Sequence, residues 1–114
     1  MLKEGLDRGQ KITLKSSGES MLPVIKEGDS LLIEGVENIQ PGQIIAYLKS
    51  RGDWVAIVAH RVMTVRDDGF FISRGDNINK PDPEWISPDK IIGRVCQING
   101  KTVDELKKKD IIEK

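Results

Sequence analysis

The sequence holds one cysteine, one histidine and no apolar run longer than a few residues. A lone cysteine, Cys96, excludes an intrachain disulfide and suits a reducing compartment. In the apolar run IIGRVCQI it is expected to be a small core residue. One histidine and one distant cysteine make no ligand cluster, so neither a metal site nor a cofactor is expected. No stretch approaches the roughly 20 apolar residues of a membrane helix. The opening MLKEGLDRGQ lacks the apolar core of a signal peptide. The chain as written is therefore expected to be cytoplasmic, with no membrane span. Charge of one sign is not in excess either. Eighteen Lys and Arg against eighteen Asp and Glu give a formal net charge of +0, which removes the electrostatic case for binding nucleic acid or an anionic membrane.

What is present suits one folded domain over 1–114. Its 114 residues can bury a single modest core, and 38% hydrophobic with 32% charged residues is not the composition of a disordered chain. Short apolar runs alternate with turns. KITLK at 11–15, SLLIE at 30–34, QIIAYL at 43–48, WVAIVAHRVMTV at 54–65, Phe70–Ser73 and Ile91–Ile98 read as strands, the long one bending. Between them stand EGD at 27–29, PG at 41–42, RGD at 51–53, DDG at 67–69 and NG at 99–100, all turn signals. The pattern predicts an all-β fold, a folded ribbon or barrel of short antiparallel strands with its core over about 11–98. Short helices are expected over Leu2–Arg8 and over 102–114, where Val103, Leu106 and Ile111 recur at near-helical spacing. Trp54 and Trp85 are expected to pack in the core or at a sheet edge, the alternative being that they rim a substrate groove.

Three kinds of residue suggest chemistry. A serine hydroxyl is a weak nucleophile until a base within hydrogen-bond reach takes its proton. The single histidine, His60, suits that task, since an imidazole ordinarily titrates near pH ~6.5. A carboxylate must then fix the imidazole tautomer. The chain offers Ser20 in SSGESMLPVIKEGDS, His60 in VAHRV, and both Asp76 and Asp82 in RGDNINKPD. Gly18 and Gly75 let the backbone approach closely at the two ends of this set. Arg61, beside His60, is expected to be salt-bridged or at the surface rather than catalytic.

These stretches resemble a known family. GESMLP at 18–23, followed by GD at 28–29, resembles the G-x-S-M-x-P box around the nucleophile of type I signal peptidases. VAHRV at 58–62 resembles the box that carries the general base in the histidine-using branch of that family. That branch includes endoplasmic-reticulum and archaeal enzymes and some from spore-forming bacteria. RGDNINKPD at 74–82 resembles the G-D-N box, and IIGRV at 91–95 the strand that closes the domain. The resemblance spans about 16–96. It implies a serine endopeptidase with Ser20 as nucleophile, His60 as base, and Asp82 or Asp76 beside the imidazole, Asp82 being favoured. The oxyanion hole would use the Ser20 backbone N–H. The family's side-chain donor two residues earlier is absent, because that residue is Gly18. The implied partner is a peptide or protein with small residues before the cut. It would lie extended between the Leu14–Ser17 and Ile57–Ala59 strands, against Leu14, Ser16, Gly18, Met21, Ile57 and Ala59, adding a strand through main-chain hydrogen bonds.

The chain departs from membrane-bound signal peptidases in having only nineteen polar-rich residues before Ser20 and no anchoring helix there, so secretory signal cleavage is not expected. It also resembles the self-cleaving domain of SOS-response repressors, which share the serine box but use a lysine base. Met1–Glu19 has no Ala-Gly or Cys-Gly bond, so self-cleavage is not expected. The alternative to the enzyme is a peptide-binding module on the same fold, with weak or no catalysis.

Overall fold

The computed structural model describes residues 5–103. The strands are β1 (Lys11–Lys15), β2 (Ser30–Glu34), β3 (Ile44–Arg51), β4 (Trp54–Val65), β5 (Phe71–Arg74), β6 (Ile91–Ile98) and β7 (Lys101–Thr102). A 3-10 turn, Pro88–Lys90, leads into β6. All pairings are antiparallel, in the order β1-β2-β6-β3-β4-β5, with β7 on β6. The all-β expectation holds. The sheet is a folded ribbon rather than a closed barrel, because its end strands do not pair with each other among the described residues.

The central strand explains the core. β3 begins Ile-Ile-Ala-Tyr, all four buried, as expected of a strand covered on both faces. Ile44 and Ala46 join an aliphatic cluster with Met21, Leu31, Ile33 and Val95. Ile45 and Tyr47 join a second cluster with Val62, Phe71 and Ile86. There the Tyr47 and Phe71 rings meet edge to face at 5.5 Å, a favoured aromatic geometry.

β4 does two jobs. Residues 54–61 pair with β3, and residues 61–65 also pair with β5. A register shift between Val62 and Thr64 lets the strand bend. Residues 54–60 thus have an unpaired edge among the described residues, as does β1, which pairs only with β2.

Three expectations change. Residues 5–8 form no helix: Leu6 donates its N–H to the Ile92 carbonyl (2.8 Å) and Gln10 closes a turn on Asp7 (2.9 Å). Pairing with the start of β6 satisfies backbone groups that a helix would have used internally. The rest of that helix lies outside the described residues, as does the one expected over 102–114 apart from Thr102, which belongs to β7, and Val103. Cys96 is half-buried rather than in the core. Its thiol faces the Leu32 carbonyl (3.4 Å), and burial pushes its pKa up, which disfavours the reactive thiolate. Trp54 is 63% exposed at the start of β4. Trp85 stays at the edge, where the Arg66 guanidinium stacks on its ring at 4.6 Å.

Candidate active site

Ser20 opens a run of tight turns that continues to Val24. Leu22 N–H bonds to Glu19 O (3.2 Å), and the Val24 and Ile25 amides both bond to Met21 O (2.9 and 3.0 Å). Gly18, at φ +85°, begins this turn and has open space where a Cβ would stand. Its contribution is a left-handed backbone, not the close approach expected from the sequence. Close approach is the role of Gly75. A Cβ there would lie 2.5 Å from the Ser20 carbonyl oxygen and 3.2 Å from His60 Nε2. The missing side chain lets the 75–78 loop dock on the serine turn, where Asn77 N–H bonds to Ser20 O (2.8 Å).

The side chains converge. Ser20 Oγ is 3.1 Å from His60 Nε2, and His60 Nδ1 is 2.7 Å from Asp82 Oδ2. A carboxylate only accepts, so Nδ1 carries the proton and the neutral ring leaves Nε2 free to accept from the Ser20 hydroxyl. His60 is 9% exposed. Asp82 stands between Pro81 and Pro83, which have no N–H and hold φ near −65°. The intervening Asp82 N–H is anchored on Ser73 O (2.7 Å). The two prolines stiffen the segment that aims this carboxylate.

Asp76 goes elsewhere. Arg61 grips it with two bonds, Nε to Oδ1 (2.8 Å) and Nη2 to Oδ2 (2.7 Å), and sends Nη1 to Gly42 O (2.8 Å). The Asp76 carboxylate thus faces a guanidinium rather than the imidazole, and ties the strand after His60 to the loop before Asp82. Both side chains are largely buried, at 15% and 12% exposure. Removing one partner of such a pair leaves a charge poorly compensated. Asp76→Ala is expected to lower unfolding free energy by about 3 kcal/mol, read by urea denaturation.

Two contributors escaped the sequence reading. Ser73 and Tyr47 are both fully buried. The Ser73 hydroxyl donates to Asp82 Oδ2 (2.6 Å). Its oxygen then accepts from Tyr47 OH (2.9 Å), which also lies 3.5 Å from Asp82 Oδ2. Burial raises the Tyr47 pKa to about 12, so the phenol stays protonated and donates. Both residues hold the same carboxylate oxygen that faces His60 Nδ1. A signal existed: Ser73 falls on the inward face of β5, beside Phe71, and a buried hydroxyl requires a partner. Ser73→Ala is expected to cost about 1–3 kcal/mol of stability, by denaturant titration, because Tyr47 and Asp82 lose their shared bridge.

Beside Ser20 and His60 runs a groove of about 600 Å³. Leu14, Ser16, Gly18, Met21, Ile57 and Ala59 all line it. Its two walls include the end of β1 and residues 56–60 of β4, the unpaired edges already noted. An extended peptide between them would find free backbone donors and acceptors on either side.

The profile of one protein family, described as Peptidase S24-like, matches residues 2–96. The chain belongs to the Peptidase S24-like family. No curated protein and no solved structure matches it. The S24-like match covers most of the chain, including Ser20, His60, Asp76 and Asp82, and agrees at superfamily level with the serine-peptidase resemblance of the four sequence boxes. Among the described residues of this S24-like domain, no cluster of His, Cys, Asp and Glu could hold a metal ion, and no helix is long and apolar enough to cross a membrane.

Proposed function

We propose that the chain is a serine endopeptidase that cleaves an extended leader or signal-like peptide, with Ser20 as nucleophile, His60 as general base and Asp82 as its orienting carboxylate. The observation that carries this reading is the unbroken hydrogen-bonded line from Ser20 Oγ through the imidazole to Asp82. Ser20 Oγ attacks the scissile carbonyl while Nε2 takes its proton. The tetrahedral intermediate collapses, and His60 gives that proton to the departing amine. Water, deprotonated by the same nitrogen, then releases the acyl group from Ser20. The Ser20 backbone N–H serves the oxyanion. Substrate enters as an added strand in the groove, with small residues before the cut.

A second reading follows from Gly18, which offers no side-chain donor to the oxyanion. On that reading the domain captures peptides in the groove and cleaves them slowly or not at all. Incubation with a mixture of extended peptides bearing alanines before the central bond separates the two, read by mass spectrometry. The enzyme cleaves at a defined bond. Peptides that bind and stay intact at every pH support the module.

A further inference from the structure

The groove continues well past the serine. β4 rises about 3.3 Å per residue, so the edge from His60 back to Trp54 extends roughly 20 Å. A peptide of about six residues would span it. At that far end the lining includes Arg51 and Trp54, which flank the β3–β4 turn, and Lys15, at the end of β1, lines the groove as well. All three are exposed. Apart from His60, Lys15 and Arg51 are the titratable residues that line the groove, and no carboxylate does. Neither has an ion pair among the described residues. Asp53, at the tip of the turn, is exposed and does not line the groove. A protein with no net charge thus has a peptide-sized channel whose fixed charges are both positive, with an indole face 63% exposed beside them.

We propose that Lys15, Arg51 and Trp54 form a distal subsite for acidic side chains, selecting peptides that carry Glu or Asp about five to seven residues before the cut. This rests on the peptidase reading only for the direction of the peptide. The two cations favour carboxylates in the groove, and the indole offers an apolar platform for their stems. A basic peptide would bring like charges together.

The test uses two dye-labelled peptides that share alanines at the three positions before the central bond. One carries Glu-Glu and the other Lys-Lys six and seven residues upstream. Binding to the Ser20→Ala protein is measured by fluorescence anisotropy, so no cleavage intervenes. The Glu peptide is expected to bind about tenfold more tightly at low salt, two exposed ion pairs being involved. The margin should shrink at high salt, where the screening length falls to about 3 Å at 1 M. The double change Lys15→Glu with Arg51→Glu, at exposed sites, should reverse the preference. Equal affinities, a preference for Lys-Lys, an unchanged preference in the double variant, or no binding of either peptide would each overturn the subsite. Wild-type cleavage is scored separately. A Glu peptide bound selectively but never cut keeps the subsite and removes the peptidase reading; cleavage with no charge preference does the reverse.

Discussion

Ser20→Ala is expected to give a folded protein without peptidase activity. The loss should be about 10⁶-fold in kcat, the scale seen when a serine nucleophile is removed, with oxyanion and binding contributions as the remainder. The fold should hardly notice. Ser20 contributes one side-chain hydrogen bond, to His60, and such a bond is worth about 1 kcal/mol net. The contact that docks the neighbouring loop runs through its backbone carbonyl to Asn77, which alanine keeps. Peptide affinity should survive as well, since the groove walls are untouched. Circular dichroism, a urea titration and anisotropy on one preparation check all three. An inactive protein that has also lost its fold or its peptide affinity would be read as structural damage, not as a missing nucleophile.

Asp82→Asn should have the second-largest effect. The substitution keeps size and shape, so packing around Ser73 and Tyr47 is preserved. It changes what His60 Nδ1 faces. An amide nitrogen in that place donates, so the imidazole must accept at Nδ1 and move its proton to Nε2, the nitrogen that should receive the Ser20 proton. In a serine triad this change costs about 10⁴-fold in kcat. The expected signature is a fall in kcat of that order at neutral pH, with KM little changed because no groove residue is altered. The Asp76→Asn variant provides the contrast. It weakens the grip of Arg61 and lowers stability, while the line from Ser20 to Asp82 remains. A rate loss as large as that of Asp82→Asn would place Asp76, not Asp82, at the imidazole.

Much of this architecture was legible in the sequence, for local reasons. Alternation in KITLK and SLLIE, and the unbroken apolar start of β3, follow from which faces are covered. The Gly, Asp and Pro clusters mark turns because each presets or permits a backbone geometry. Ser20, His60 and the aspartates stood out because their boxes occur together and in order. The choice between Asp76 and Asp82 depended on long-range placement. Six residues apart in one loop, they are separated by what each meets: Arg61 takes the first and His60 the second. Tyr47 and Ser73 stayed hidden because each resembles an ordinary inward strand residue until its partners are known. Over residues 5–8 the expected helix does not form, because Leu6 pairs with the backbone of Ile92, a contact no local pattern encodes.

In this site His60 is expected to activate Ser20. That activation is tested most directly by exposing the wild-type protein to a serine-directed fluorophosphonate and reading the intact mass. One adduct, mapped to Ser20 and absent from both Ser20→Ala and folded His60→Ala, is the predicted result. A folded wild type that takes no adduct, or a His60→Ala protein that labels as fast as wild type, would contradict it.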